Sequence, residues 1–313
     1  MKQHQFQGVW VPVLTSFRSD LAADTAAFIT HCRWLLEQGV DGLAVFGTTS
    51  EANSLSMTER MSLLEALVEA GIPGEKLMPG VGCCAAPDTA SLCRHALAHG
   101  CAAVLMLPPF YYKNVSDDGL FSAFSWIVEE VASEDLRIFL YHIPPVAQVP
   151  ISFSLVDRLL GAYPQQIAGI KDSGGDWEHT RRLLDRFGGL RIFAGSERFL
   201  LDTLRHGGAG CITASGNVNP AGIRVVYDRW SAGMEDADDA QRRITAVRDV
   251  FEQFKMIPAL KALCARHYDD DAWATVRPPL TVLPDVERRA LYERLNRLGF
   301  SMAGEGRREA VPG

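Results

Sequence analysis

The sequence predicts an α/β chain that folds as a (β/α)8 TIM barrel, followed by a C-terminal helical extension. From residue 9, short apolar runs alternate with longer amphipathic segments, and eight such units occupy about 220 of the 313 residues. After residue 232 only helical spacing continues. A doubly wound open sheet is the alternative, but no GxGxxG motif or phosphate-binding loop accompanies the first unit.

Each of the eight apolar runs is expected to form a strand. They are VWVPVLT (9–15), GLAVFG (42–47), KLMPGV (76–81), AAVLMLP (102–108), RIFLYHIP (137–144), IAGIKDS (167–173), LRIFAGS (190–196) and GCITASG (210–216). Continuous apolar runs are typical of strands that are buried on both faces. The alternation of strands with helices therefore indicates a parallel sheet whose outer face is covered by helices.

The segments between the strands have the apolar spacing of amphipathic helices. They cover residues 26–39, 56–71, 87–99, 118–132, 153–161, 177–187 and 198–206, and one more begins near residue 219. The segment 56–71 opens with Ser56-x-x-Glu59. This is the pattern of a capping box, which places the start of that helix directly after Ser56.

The chain is expected to divide into a catalytic barrel over residues 1–232, a helical extension over 233–300 and a tail over 301–313. Helices of the extension are predicted at 236–255, 257–267 and 284–298, and the prolines of AWATVRPPLTVLPD mark a loop before the last of them. The tail contains AGEGRREAVPG, which is rich in small and charged residues. We expect it to be disordered.

Composition excludes several classes of partner. The formal net charge of −7 gives no general attraction to nucleic acid or to anionic membranes. No apolar run has the length of a membrane span, and MKQHQFQG lacks the apolar stretch of a secretory signal, so a cytoplasmic location is expected. The seven cysteines form no CxxC pair, and the strand ends lack a ligand set for a divalent ion, so no metal is expected.

Chemistry in such a barrel takes place at the C-terminal ends of its strands. There the sequence is polar: the ends carry Thr48-Thr49-Ser50-Glu51, Tyr111-Tyr112, Tyr141-His142, Lys171 and Gly195-Ser196-Glu197-Arg198. An apolar surrounding favours the neutral form of an amine, and only the neutral amine attacks a carbonyl carbon. Lys171 is therefore a candidate Schiff-base nucleophile. The alternative is a lysine paired with Asp172 or Glu51.

Two neighbouring features fit the same chemistry. Tyr141 lies on the preceding strand, where its phenol can transfer protons during imine formation. The loop that contains Thr48 and Thr49 offers hydroxyl and backbone N–H groups to a small carboxylate. The alternative interpretations are a core tyrosine with a satisfied hydroxyl and an ordinary polar loop between a strand and a helix.

Four motifs in this order, GTTSE, PPFYY, YHIP and GIKDS, resemble the signatures of the dihydrodipicolinate synthase and N-acetylneuraminate lyase family of Schiff-base aldolases. The similarity covers roughly residues 7–230 and continues into a similar helical tail. The resemblance implies a (β/α)8 barrel without a cofactor, a homotetramer built as a dimer of dimers, and a covalent imine between a lysine and pyruvate or another 2-oxo acid.

The resemblance assigns roles by motif. Lys171 would form the imine and Tyr141 would transfer protons, while Thr48 would link Tyr141 to Tyr111. Thr49, with the adjoining backbone at Ser50, would bind the carboxylate of the 2-oxo acid. In many family members the tyrosine that matches Tyr111 comes from the neighbouring subunit; Tyr112 is the alternative.

Other rim positions would contact the variable part of the substrate. Glu197 and Arg198 lie where sialate lyases carry an acidic pair that binds sugar hydroxyls, so Arg198 either meets a distal carboxylate or faces solvent. Gly195 and Thr213 lie at neighbouring strand ends, and the alternative role of Thr213 is a hydrogen bond within the rim.

Three positions depart from the family pattern. Ser50 replaces a glycine, and His142 replaces the usual asparagine. We expect His142 to be a rim residue, or to act behind the site, rather than to bind a metal, since none of the other seven histidines is expected to form a cluster with it. Val146 lies where dihydrodipicolinate synthases commonly have an arginine that receives the carboxylate of aspartate semialdehyde. The loss of such a charge-assisted contact argues against that substrate.

The function predicted is that of a class I aldolase or lyase that acts through a Lys171 imine, with 2-oxo-3-deoxy sugar acids favoured as substrates. Alternatives are 4-hydroxy-tetrahydrodipicolinate synthase and a dehydratase that uses the same imine. The alternative from another class is a non-catalytic 2-oxo acid sensor. A sensor would not need a desolvated amine, which favours the enzyme.

Overall fold

The structure is a computed structural model that describes residues 6–302. Parallel strands form its centre. The strands are β1 (Gly8–Val11), β2 (Gly42–Leu43), β3 (Val104–Met106), β4 (Ile138–His142), β5 (Ile167–Asp172), β6 (Arg191–Ala194) and β7 (Gly210–Ile212). They are hydrogen-bonded in the order β2-β1-β7-β6-β5-β4-β3, and every neighbouring pair is parallel.

Residues 77–81 close the gap between the two outer strands of this sheet. Leu77 forms a parallel bridge with Leu43 of β2, and Gly80 forms one with Leu105 of β3. A regular strand does not develop here because Pro79 has no N–H group to donate. A Cβ atom on Gly80 would also lie only 2.2 Å from the carbonyl oxygen of Phe46. The prediction of a closed (β/α)8 barrel is therefore confirmed, with one of its eight strands reduced to single bridges.

Large aromatic side chains fill the inside of the barrel. Trp10, Phe139 and Phe193 are almost fully buried and belong to one hydrophobic cluster with Tyr141. A Cβ atom on Gly169 would lie 2.3 Å from the ring of Phe139, so that ring requires a glycine on the neighbouring strand. A larger apolar layer packs between the outer face of the sheet and the helices.

The barrel helices follow the predicted segments. They are α1 (Thr25–Glu37), α2 (Met57–Glu69), α3 (Ala86–Ala98), α4 (Asp117–Val131), α5 (Pro144–Ala147), α6 (Phe153–Ala162), α7 (Trp177–Arg186), α8 (Leu200–Arg205) and α9 (Pro220–Ser231). The capping box of α2 is present, because the Ser56 hydroxyl accepts the Glu59 N–H and the Glu59 carboxylate accepts the Ser56 N–H. The short α5, which begins with two prolines, was not predicted.

The C-terminal extension contains α10 (Ala237–Phe251), α11 (Met256–Tyr268) and α12 (Asp285–Arg297). The first helix ends four residues before the predicted 255, because the N–H groups of Gln253 and Phe254 bond to carbonyls three residues back. Apolar side chains from all three helices of the extension form one cluster with Leu14 and Val218 of the barrel. In residues 6–302 no helix is both long enough and apolar enough to cross a membrane. The predicted disordered tail, apart from residues 301 and 302, lies outside the described residues.

Candidate active site

Lys171 and Tyr141 lie side by side at the C-terminal ends of adjacent strands. They are paired in register between β5 and β4, and the Lys171 Nζ lies 4.3 Å from the centre of the Tyr141 ring. Lys171 is 3% exposed and Tyr141 is 4% exposed. The barrel thus holds an amine and a phenol together in an almost dry environment.

The two carboxylates that could pair with Lys171 are engaged elsewhere. Asp172 projects to the opposite face of β5, where it accepts hydrogen bonds from Thr180, His179 and the backbone of Gly174. Glu51 forms an ion pair with Lys261 of α11. Lys171 is therefore paired with neither carboxylate, and the alternative prediction of an ion pair with Asp172 or Glu51 is wrong.

Thr48 connects the phenol to the loop that follows β2. Its hydroxyl shares a hydrogen bond of 3.2 Å with the Tyr141 hydroxyl. A small cavity at this point is lined by Phe46, Gly47, Thr48, Ala52, Asn53, Gly80, Gly82, Leu105, Leu107 and Tyr141. The phenol of Tyr141 and the Thr48 hydroxyl therefore border a cavity of about the size of one water molecule.

Tyr111 is not part of this arrangement within one chain. It is 72% exposed, and its described ring contact is with the neighbouring Tyr112, at 5.3 Å between centres. Among the described residues 6–302, Thr48 bonds through its hydroxyl to Tyr141 and not to Tyr111. The structure therefore brings together Lys171, Tyr141 and Thr48 but not Tyr111.

Ser50 fastens the loop rather than facing a ligand. Its hydroxyl donates to the carbonyl of Val13 and accepts the N–H of Gly47 at 3.2 Å. Thr15 donates to the Ser50 carbonyl at 2.8 Å. The left-handed backbone conformation falls on Glu51, with φ of 57°, so the serine replaces glycine without strain. Thr49, beside it, is buried.

Glu197 is fully buried at the end of β6 and is saturated with hydrogen-bond donors. Thr213 and Ser215 donate to its two carboxylate oxygens, and Arg248 of α10 donates to it at 3.3 Å. Because the carboxylate oxygens already accept these hydrogen bonds, Glu197 holds Thr213, Ser215 and Arg248 in place behind the rim. The prediction that Glu197 and Thr213 contact substrate directly has no support in this geometry.

Arg198 lies on the other side of the same turn. Its guanidinium donates to Glu252 at 2.6 Å and also contacts Asp249, both in or next to α10. Neither predicted position, at the substrate or in solvent, matches this contact. The cause is the 3-10 turn Glu197–Phe199, in which successive side chains project in different directions.

Gly195 is required by close packing of the strand ends. A Cβ atom there would lie 2.1 Å from the Ser173 hydroxyl and 2.8 Å from the Asp172 carbonyl. The backbone N–H of Gly195 donates to that carbonyl at 2.7 Å. Gly195 therefore lets the ends of β5 and β6 approach each other.

His142 does form a cluster with another histidine, contrary to prediction. Its ring stacks on His179 at 4.5 Å between centres, and its Nδ1 accepts the N–H of Ile151 at 3.1 Å. Burial lowers the pKa of His142 to about 4, so the ring is neutral at pH 7. Together with Asp172 these side chains could hold an ion. The hydrogen bonds to Ile151, Thr180 and Gly174 explain their orientation equally well without one.

Sequence reasoning missed the residues that the extension contributes, Arg248 and Lys261. Both lie on helices that are distant in sequence from the strand ends, and neither belongs to a recognisable motif. The one signal available was a basic residue at an otherwise apolar helical position, which Lys261 provides in IPALKALC.

Lys171 and Tyr141 are buried and in register at the C-terminal ends of the strands, where barrels of this kind carry their active sites. The model of the dihydrodipicolinate synthetase family matches residues 5–298. The chain belongs to this family and is a lyase.

Individual relatives agree with this assignment. A DapA-like lyase of Chloroflexus aurantiacus is 38% identical over 294 residues, which are 92% of this chain and 97% of the relative. A probable 2-dehydro-3-deoxy-D-pentonate aldolase of Escherichia coli K12 is 30% identical over 73% of this chain and 76% of its own length. The crystal structure of dihydrodipicolinate synthase from Agrobacterium tumefaciens superposes with a TM-score of 0.85 at 36% identity, over 93% of this chain and 99% of that one.

Proposed function

We propose that the protein is a class I aldolase that forms a Schiff base between Lys171 and pyruvate or a longer 2-oxo acid. The observation that carries this proposal is the buried Lys171, in register with Tyr141 and without Asp172 or Glu51 as an ion-pair partner. A lysine amine attacks a carbonyl carbon to form a Schiff base, and Lys171 has no described carboxylate that would hold its amine as half of an ion pair.

The residues of the site divide the chemistry between them. Thr49 and the backbone of its loop bind the carboxylate, while the Lys171 amine attacks the C2 carbonyl. Tyr141 delivers the proton with which the carbinolamine loses water to give the imine. In cleavage, Tyr141 takes the proton of the C4 hydroxyl, C4 leaves as the carbonyl carbon of an aldehyde, and the electrons of the C3–C4 bond move to the imine to give an enamine. Protonation at C3 and hydrolysis then release pyruvate and free Lys171.

A second copy of the chain completes the proton relay in this proposal. Tyr111 and Tyr112 are 72% and 71% exposed, and Val146 beside this rim is 60% exposed. Large apolar side chains this exposed suit a protein interface. We propose a homotetramer, a dimer of dimers, in which Tyr111 reaches Thr48 of the neighbouring subunit. No metal or other cofactor takes part.

We favour a 2-oxo-3-deoxy sugar acid as the substrate. Val146 on α5 offers no charge where an aspartate semialdehyde carboxylate would need an arginine, and Arg198 is engaged by Asp249 and Glu252. The similarity to the pentonate aldolase supports the same class.

Two further activities use the same imine. The similarity to the Agrobacterium enzyme supports 4-hydroxy-tetrahydrodipicolinate synthase as the alternative. A dehydratase would instead expel a hydroxyl group from the bound acid. The non-catalytic sensor, from a different class, has less support because of the buried amine.

A comparison of substrates tests this choice. We expect pyruvate release from 2-oxo-3-deoxy-pentonate or hexonate with a kcat/KM at least about 100-fold above that for condensation of pyruvate with aspartate semialdehyde. The variant Val146→Arg is the matched control, because it restores a positive charge at the exposed rim and should raise the condensation rate. Efficient condensation by the unmodified protein, with no cleavage of the deoxy acids, would contradict the proposed substrate.

A further inference from the structure

The loop that carries Thr48 and Thr49 is held from outside the barrel as well as from within it. Glu51, the last residue of that loop, forms an ion pair with Lys261 in the middle of α11. Both side chains are 0% exposed. The C-terminal extension thus reaches the carboxylate-binding loop through two buried charges.

The ammonium of Lys261 has three partners. Besides Glu51, it donates to the Thr275 carbonyl at 2.7 Å and lies 4.3 Å from the centre of the Phe17 ring. Burial lowers its pKa to about 8, although Glu51 opposes the shift. A buried ion pair is rarely more stabilising than well-packed apolar side chains would be, because both charges lose their water. Fold stability alone is therefore a weak reason for this pair.

The geometry of Glu51 gives a better reason. Its backbone is in the left-handed region, with φ of 57°, which disfavours a residue with a side chain. Its N–H donates to the Thr48 carbonyl at 3.1 Å, so this conformation directly sets the turn at Thr48. Anchoring the carboxylate of Glu51 therefore fixes the loop in a conformation that the chain alone would populate less.

A second contact from the extension acts on the same loop. The backbone N–H of Arg277 donates to the other Glu51 oxygen at 2.9 Å, across 226 residues of sequence. The Arg277 guanidinium donates to the Ser54 carbonyl at 2.7 Å and to Glu59. The loop is thus bounded on its outer side by residues of the extension.

We propose that Glu51 and Lys261 are positioning residues for the 2-oxo acid, and that their ion pair makes carboxylate binding at Thr48 and Thr49 depend on the docked extension. The pair touches neither substrate nor reacting atoms. Its effect is to keep the hydroxyl and N–H groups of the loop in place before the ligand arrives. The binding half of this inference rests on the proposed function, whereas the loop half does not.

The test uses the double variant Glu51→Gln/Lys261→Met, which removes both charges and leaves neither partner buried alone. Tyr292→Phe is the matched control, because it removes a hydrogen bond of 2.6 Å to the Ala262 carbonyl of α11 without touching the loop. Amide hydrogen exchange of residues 47–55 is measured first, without any ligand. Trapping by borohydride is then measured as a function of pyruvate concentration.

In the double variant we expect exchange in residues 47–55 to rise about tenfold or more and half-saturation by pyruvate to require about tenfold more ligand. Trapping at saturation should stay within about threefold of the unmodified protein. The control should change neither quantity, even where its melting temperature falls. If the double variant does not fold, Glu51→Gln alone should show the same two changes, because the glutamine keeps an acceptor for Arg277 and the buried Lys261 amine, whose pKa Glu51 no longer raises, can lose its proton.

Unchanged exchange and unchanged half-saturation in a folded variant would overturn the proposal, because the pair would then serve stability alone. Faster exchange with unchanged half-saturation would overturn the coupling to ligand binding. Absence of trapping in the unmodified protein would contradict the proposed function instead, while the exchange measurement would still decide whether the pair holds the loop.

Discussion

Tyr141 illustrates how one hydroxyl group can be tested without disturbing the fold. It shares a hydrogen bond with Thr48, and the rest of its ring packs among Phe139, Phe193 and other residues of the barrel interior. Tyr141→Phe keeps the ring, so we expect turnover to fall by about 10²-fold or more while the melting temperature stays nearly constant. Steady-state kinetics and thermal unfolding measure the two quantities. Tyr163→Phe, at a hydroxyl that donates to Glu129 on the surface, is the control; turnover unchanged in Tyr141→Phe would refute its role in proton transfer.

Two buried histidines predict how stability depends on pH. Burial lowers the pKa of His31 and of His142 to about 4 from 6.5. Between these values the unfolded chain binds more protons than the folded one, so the free energy of unfolding is highest above pH 6.5 and falls as pH drops toward 4. Each histidine contributes up to about 3 kcal/mol. Urea unfolding between pH 7 and 4.5 measures this loss.

A comparison of variants isolates one histidine. In His142→Asn the slope of the unfolding free energy against pH should decrease by about the contribution of one bound proton. His206→Gln, at an exposed position, should have the same slope as the unmodified protein. Glu59, whose pKa Arg277 lowers to about 2, also begins to affect stability near the lower end of this pH range, but it does so equally in all three proteins, so the comparison between them isolates His142. Equal pH dependence in all three proteins would contradict the account of His142.

At the scale of single residues, the sequence predicted those whose position follows from strand register. Lys171 and Tyr141 end neighbouring apolar runs, so their proximity follows from the barrel. The orientations of Glu197 and Arg198 depend on the phase of a three-residue turn, which no periodicity reveals. The predicted contacts of those two residues were accordingly less accurate.

At the scale of elements, helix α2 offers a direct test of a local signal. The Ser56 hydroxyl caps its first turn by accepting the Glu59 N–H at 3.1 Å. Ser56→Ala should reduce the free energy of unfolding by about 1 kcal/mol, because the N–H loses its acceptor. Thr58→Ala, at an exposed position in the same turn, is the control for urea unfolding. A loss in the control equal to that in Ser56→Ala would mean that the cap contributes nothing.

Most elements could be predicted because apolar spacing and caps are local properties. Two elements differ from the prediction, and each difference has a local cause that apolar spacing does not reveal. Residues 77–81 lose regular strand pairing through Pro79 and the tight contact at Gly80. The helix α10 ends early in a turn of i to i−3 hydrogen bonds.

At the scale of the whole molecule, the proposed exchange of Tyr111 between subunits predicts complementation. Lys171→Ala and Tyr111→Phe should each be nearly inactive, but co-expression should restore about one quarter of the activity, since half of the dimers are mixed and each holds one intact site. Activity of the co-purified mixture measures the rescue. Lys171→Ala with Tyr112→Phe tests the neighbouring tyrosine. No rescue, although mixed oligomers form, would show that the tyrosine acts within its own chain or not at all.

The contribution of the extension could not be predicted from the sequence. Lys261 meets Glu51, and Arg248 meets Glu197, only after the barrel has closed and the helices have packed beside it. Contacts between residues so far apart in sequence carry no periodicity. The basic side chain of Lys261 inside an apolar helical face is a signal whose partner only the structure supplies.

The imine at Lys171 is the central claim, and trapping it is the most direct test. The protein is incubated with pyruvate and borohydride, and the adduct is located by intact mass and peptide mapping, with Lys171→Ala as the control. We expect a reduced pyruvyl adduct on the peptide that contains Lys171 and no adduct on the variant. A folded, unmodified protein that forms no adduct, or forms it on another lysine, would contradict the account.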